Sequence, residues 1–239
     1  MRFHTRSILA AAMFVAATAT FARAQAAVDP SGHWEGTIQV PEMPVRVEVD
    51  LARNGSGELS GTFTQTQRLN GLPLTNLAID NRSVTFQIKG SPAGERLFKG
   101  DVSEDGLSMA GKFAQAGYSM PFTLRRTGAA KIEAAPKSVQ IGEALEGTWN
   151  GTLEVNGVLR QLVLTMANQP DGTSVGSFTN VDEGLEIPVT TITQDASKVT
   201  LDIKAVAGGY TGVLNGEGTE LTGTLKHGSV TLPLTFRKR

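Results

Sequence analysis

The chain is written twice. Trp34 and Trp149 stand 115 residues apart, and at that offset Val47, Val49 and Leu51 meet Leu162, Leu164 and Met166, while Gly61 meets Gly176 and Pro73 meets Pro188. After a three-residue gap the offset becomes 112, and Gly100, Gly111 and Pro121 meet Gly212, Gly223 and Pro233. Matches of Trp, Gly and Pro, in order and at fixed spacing, mark a duplicated structural unit. Repeat one spans residues 31–127 and repeat two 146–239, with a linker at 128–145. The linker is rich in Ala and carries Pro136, with room for a short helix over Ile141 to Leu145.

Each repeat is a run of short, period-two apolar segments separated by turn residues roughly every dozen positions, the signature of an all-β fold. In repeat one the alternation predicts strands at His33–Val40, Pro44–Arg53, Glu58–Thr66, Leu72–Ile79, Ser83–Lys89, Arg96–Val102, Leu107–Ala114 and Ser119–Arg125. Asn54-Gly55, Asn70-Gly71, Asp80-Asn81 and Asp105-Gly106 fall between them, and Asn156-Gly157, Asp171-Gly172, Glu183-Gly184 and Asn215-Gly216 do the same in repeat two. Such residues tolerate the positive φ of tight hairpins. Eight hairpin-linked strands form a meander, and closing it removes both open edges. The expected fold is therefore two tandem eight-stranded antiparallel up-and-down β-barrels, preceded by a signal-peptide helix. Their strands are short, and outward positions carry charges such as Arg46, Glu48 and Asp50, unlike the lipid-facing strands of an outer-membrane barrel.

One unit recurs on the inward register: apolar, any, Gly, any, apolar. It reads Trp34-Glu35-Gly36-Thr37-Ile38, then Leu59 to Phe63, Phe98 to Val102 and Met109 to Phe113, and Trp149-Asn150-Gly151-Thr152-Leu153 in the second copy. An inward glycine serves either of two ends: it lets a strand coil tightly beside a bulky neighbour, or it leaves a cavity floor open to a ligand. On the second reading the interior ligand-binding candidates are Trp34, Gly36, Phe63, Phe98, Trp149, Gly151, Phe178 and Tyr210. Parity also points Arg126 and Lys238 inward at the last strands, where each cation could lie over the Trp of its own first strand.

The N-terminus carries Arg2 and Arg6, an apolar run from Ile8 to Phe21 and then Ala22-Arg23-Ala24. This is the pattern of a secretory signal peptide over residues 1–24, cleaved before Gln25, leaving no transmembrane segment and a periplasmic or secreted protein. Removing it takes three arginines and no acids, so the 22 Lys+Arg of the chain fall to 19 against 23 Asp+Glu. That balance offers no footprint for nucleic acid. With no cysteine, neither disulfides nor a lipidated cysteine is available, and each repeat must be held by its own core.

Catalytic chemistry finds little to stand on. His33 and His227 are the histidines after the leader; the first reads as an outward residue beside Trp34 and the second as a turn residue, and neither has metal-ligand spacing. No nucleophile elbow, P-loop or dinucleotide fingerprint occurs. Asp182, Glu183 and Glu186 cluster in one connection of repeat two, where repeat one has Gln67 to Asn70 without acids. A solvated loop is the simpler reading; docking on a basic surface of a partner or of the sister repeat is the other.

Two resemblances follow. Gly32-His33-Trp34 and Gly147-Thr148-Trp149, each opening a meander that ends in basic residues, resemble lipocalins and the wider calycin group. That implies a ligand-holding cup, although a C-terminal helix and any disulfide are missing. Gly147 to Arg237 also looks like the small lipocalin-like β-domain that precedes the catalytic domain of some exported bacterial α/β-hydrolases and β-lactamase-like serine hydrolases. Here the domain is duplicated without a catalytic domain, so the resemblance brings no catalytic residue with it. Taken together, these features predict an exported, non-catalytic binding or accessory module without a cofactor, holding a small apolar ligand or a protein partner. The alternatives are a structural or envelope protein acting through its surface, with packed barrel interiors, and a remnant accessory part of a hydrolase system.

Overall fold

The computed structural model describes residues 28–133 and 138–239; the leader expected at residues 1–24 lies outside them. The first repeat forms β1 (Gly32–Ile38), β2 (Val45–Arg53), β3 (Leu59–Gln65), β4 (Leu69–Asp80), β5 (Ser83–Ile88), β6 (Leu97–Val102), β7 (Ser108–Gln115) and β8 (Tyr118–Gly128). Each strand pairs antiparallel with the next, and β8 returns to β1 with Gly36 opposite Leu124 and Ile38 opposite Phe122, closing an eight-stranded barrel.

The linker and second repeat form β9 (Ser138–Val139), β10 (Gly147–Val155), β11 (Val158–Asn168), β12 (Thr173–Asn180), β13 (Leu185–Pro188), β14 (Thr191–Asp195), β15 (Lys198–Ile203), β16 (Gly208–Leu214), β17 (Glu220–His227) and β18 (Val230–Lys238). Here the ring is nearly closed. β13 and β14 together stand where β4 stands in the first barrel, but the strand is interrupted at Val189 and Thr190, although Pro73, the counterpart of Pro188, lies within an unbroken β4. At the break Val189 N–H reaches Gly176 O at 2.8 Å and Thr190 N–H reaches Asp202 O at 2.7 Å, so neighbouring residues bridge to strands on opposite sides. The linker reinforces the same place. β9 pairs with β12, and Ser138 Oγ accepts the Ile192 N–H of β14 at 2.7 Å. Where the sequence allowed a short helix there is a single 3₁₀ turn at Glu143–Leu145, with Leu145 fully buried.

The recurring glycines turn out to be places where strands crowd one another. Gly100 faces Gly111 across β6 and β7, and Gly212 faces Gly223 across β16 and β17. A Cβ on Gly223 would come within 2.5 Å of the Gly212 Cα, and one on Gly36 would overlap the Thr123 carbonyl. Paired glycines thus let adjacent strands coil into a narrow barrel.

The bottom of each barrel is capped alike. The Arg126 guanidinium lies 4.8 Å over the Trp34 ring and Lys238 Nζ 5.5 Å over Trp149. Each indole N–H donates to a carbonyl four residues upstream, Pro30 at 2.9 Å and Leu145 at 3.0 Å. Each cation also donates to the residue just before that carbonyl: Arg126 to Asp29 O at 2.6 Å, Lys238 to Ala144 O at 2.9 Å.

Three details depart from expectation. Asn70-Gly71, expected between strands, lies inside β4, and the turn falls at Thr66 to Arg68 with Gln67 at φ +66°. His33 occupies an outward register yet is 2% exposed, because the chain beyond β8 folds back over it. Asp50 Oδ1 lies 2.8 Å from His33 Nδ1 and also accepts the Lys131 N–H at 2.7 Å, clasping that segment to the wall. At the Asn54 and Asn215 turns, positive φ falls on Gly57 and Gly218 rather than on the glycine next to each Asn. The Asn side chain is the cause. Its Oδ1 accepts Ser56 and Glu58 N–H in one loop and Thr219 and Glu220 N–H in the other, widening each turn.

Candidate functional site

The two barrels meet mouth to mouth, away from their capped Trp ends. The fit is built mostly from the second barrel. Leu185 of β13 is 4% exposed and belongs to the core of the first barrel, Ile187 touches both cores, and Ala205 from a 3₁₀ turn at Lys204–Val206 is buried in the first. Arg96 Nη2 donates to Glu183 O at 2.8 Å, and Pro92 lies against Gly184. Gly90, at φ +80°, lets the chain pass directly beneath Glu186; any side chain there would strike the Glu186 Cβ.

This places the acidic connection of repeat two against the sister barrel. The carboxylates are not what docks it. Glu183 offers its main-chain carbonyl, Leu185 its side chain and Glu186 its backbone, whereas Asp182 faces Arg160 of its own barrel at 3.7 Å.

Between the mouths lies a chamber of about 890 Å³. Ile38, Phe63 and Phe113 line it from the first barrel, and Leu153, Leu162 and Phe178 from the second. Its rim is polar and includes Arg68, Arg96, Arg160 and Lys226. Tyr118, Val158 and Val230 also border it and are 73%, 49% and 53% exposed, so apolar hairpin tips fringe its opening to solvent. A second, smaller recess of about 420 Å³ adjoins it, sharing Arg68, Arg96, Gln115, Ala116 and Glu183 with the chamber wall.

The eight interior candidates fall into layers. Phe63 and Phe178 reach the chamber. Phe98 lies one layer below, 5.6 Å from Phe63 and 4.5 Å from Phe113, with Phe86 stacked on it at 4.7 Å. Tyr210 holds the matching layer of the second barrel. Its hydroxyl lies 2.9 Å from Leu221 O and 3.1 Å from Leu234 O, and burial pushes its pKa far above the ordinary tyrosine value. Trp34 and Trp149 fill the capped floors, and Gly36 and Gly151 pack against neighbouring strands and the Phe236 ring. Each barrel is filled below its mouth, and the open space belongs to the pair.

Sequence reasoning missed the residues at the strand ends: Ile38, Val45, Leu153 and Leu225, and the cations of the rim. A signal was present. Val155 and Val158 flank the Asn156-Gly157 turn, and Val230 follows Gly228, positions where a solvated hairpin tip would ordinarily be polar.

Among the described residues no helix is long and apolar enough to cross a membrane, which says nothing of membrane-spanning strands, and no group of three or more His, Asp or Glu is arranged to hold a metal ion. Fold and chamber together define a tandem β-barrel protein with a shared inter-barrel cavity. No family model and no curated protein matches the chain. Two solved structures align along most of its length. One, from Bacteroides fragilis, is described as a "putative outer membrane protein"; it is 13% identical over 88% of this chain and 98% of its own, with a TM-score of 0.27. The other, from Nostoc punctiforme, is a protein of unknown function from the DUF3598 family, 15% identical over 87% and 96% of the two chains, with a TM-score of 0.25. Neither description names a lipocalin or a hydrolase-associated domain, and likenesses of that order carry no function across.

Proposed function

We propose that this protein is an exported, non-catalytic binding protein that holds one small, largely apolar molecule in the chamber between its barrels. One observation carries the reading: a space of about 890 Å³, walled by Phe63, Phe113, Phe178 and aliphatic side chains from both repeats. Small-molecule sites commonly occupy about 300–1,000 Å³, are mostly apolar and sit at domain junctions. Export rests on the N-terminal leader pattern. The absence of catalysis rests on the sequence, which carries no nucleophile elbow, P-loop or dinucleotide fingerprint.

The test is titration of the purified protein with Nile red, a neutral apolar dye. Saturable one-to-one binding is expected, weakened at least tenfold when the chamber is filled by Leu162→Trp or Leu153→Trp. Non-saturable uptake, or affinity indifferent to both fillings in folded protein, would refute the reading.

A further inference from the structure

The protein as a whole is slightly acidic, with 23 Asp+Glu against 22 Lys+Arg even with the leader included. The chamber wall reverses that balance. Arg68, Arg96, Arg160 and Lys226 border it, against Glu183 as its one carboxylate. Two of the four are already engaged: Arg160 faces Asp182 at 3.7 Å, and Arg96 spends one amino group on the Glu183 carbonyl. Arg68 has no side-chain partner among the described residues.

Arg68 and Arg96 come together in the side recess, where both border the chamber and the smaller space beside it. Two carboxylates flank that recess. Glu95 accepts the Ala116 N–H through one oxygen and Glu183 stands at the seam, and neither is paired with Arg68, whose donors are left for a ligand. A guanidinium left without a partner beside an apolar cavity is a ready acceptor for a planar or tetrahedral anion, which it can meet with paired N–H donors.

We infer that the ligand is an anionic amphiphile with a single apolar chain, its head in the recess against Arg68 and Arg96 and its chain in the chamber. This rests on the proposed ligand-binding function and adds a charge to it. The position of the head has a consequence. Arg68 and Arg96 belong to the first barrel, whereas Glu183 and Leu185 on the facing wall belong to the second. A head group held there lies on the seam, so the site exists only while the barrels are docked.

The experiment compares dodecanoate with dodecanol as competitors for bound Nile red, in wild type, Arg68→Gln and Arg96→Lys, at low and high salt. Arg68 is exposed and unpartnered, so its substitution leaves folding intact; Arg96→Lys keeps a cation at the seam. Dodecanoate is expected to compete at least tenfold better than dodecanol. The preference should fall to less than threefold in Arg68→Gln and shrink with added salt. If acid and alcohol compete equally in wild type, or if Arg68→Gln keeps the full preference, the anionic assignment is overturned while apolar capture stands. If neither competes and Nile red itself does not bind, the ligand-binding reading falls and this inference with it.

Discussion

The sharpest test of the barrel architecture is the replacement of Arg126 by Gln. In the native barrel its guanidinium lies 4.8 Å over the Trp34 ring, a fully buried indole, and its Nη2 donates to Asp29 O at 2.6 Å. The ring contact is worth ~0.5–2 kcal/mol, towards the upper end for a half-buried cation. The charged hydrogen bond contributes ~1.5–3 kcal/mol, of which a shorter amide recovers part at best. One term opposes these: Arg126 Nε is buried without a partner, and its removal returns a fraction of that loss. The net expectation is a destabilisation of about 2–3 kcal/mol, drawn from the same terms. One kcal/mol moves the midpoint of a ~100-residue domain by about 4–8 °C, and by about half as much if both barrels melt together. Scanning calorimetry should therefore show a fall of roughly 8–24 °C if the first barrel melts alone and about 4–12 °C if both melt together. The control is Arg125→Gln on the same strand, an exposed side chain beside the cap. Were Arg126→Gln to melt within about one degree of that control, the capping argument would be wrong at its root. In the second barrel Lys238→Gln should cost less. Its ammonium sits farther away, at 5.5 Å, and a compact, well-hydrated charge engages an indole face more weakly than a guanidinium does.

Two further outcomes follow from the second barrel. Tyr210 is held neutral by burial while in the unfolded chain it keeps the ordinary tyrosine pKa of 10.0, so its contribution is complete below that pH and is lost as pH rises beyond it. Urea midpoints should drop between about pH 9 and pH 11, and Tyr210→Phe, which loses ~1 kcal/mol at neutral pH, should drop measurably less over that interval; equal drops would contradict the burial argument. Leu185→Asn installs at the seam the residue type that the first barrel carries at the matching place, Asn70. Small-angle scattering should report a longer maximum dimension with unchanged β-content, and unaltered dimensions would show that Leu185 does not hold the barrels together.

In the first barrel, strand number, order and facing were written in the sequence because a period of two leaves no freedom. Val47, Val49 and Leu51 cannot be turned outward without exposing the entire set, and the structure has all three buried. The Trp cap was legible for the same reason, as parity alone brings Arg126 under Trp34. What periodicity could not convey was anything set by one repeat meeting the other. Leu185 sits in a short connection, and nothing about its neighbours says that its pocket lies in a different barrel. The chamber is equally silent in the sequence, because the inward mid-strand positions are filled by cross-strand glycines and stacked rings and the open space lies at the strand ends. His33 misled in a simpler way. Its register is outward, but register fixes direction and not what the following chain lays over it.

The seam between the barrels is lopsided, and this bears on how the protein behaves in company. Leu185 enters the first barrel, yet among the described residues no side chain of the first barrel belongs to the core of the second. The corresponding residue of the first barrel is Asn70, polar and exposed. Duplicated modules that used one identical plug and one identical socket could add further copies end to end, as open heterologous contacts do. Here one copy supplies the plug and the other the socket. The intramolecular pairing uses up both, so two copies made from one ancestral unit leave no free end on which a third could grow.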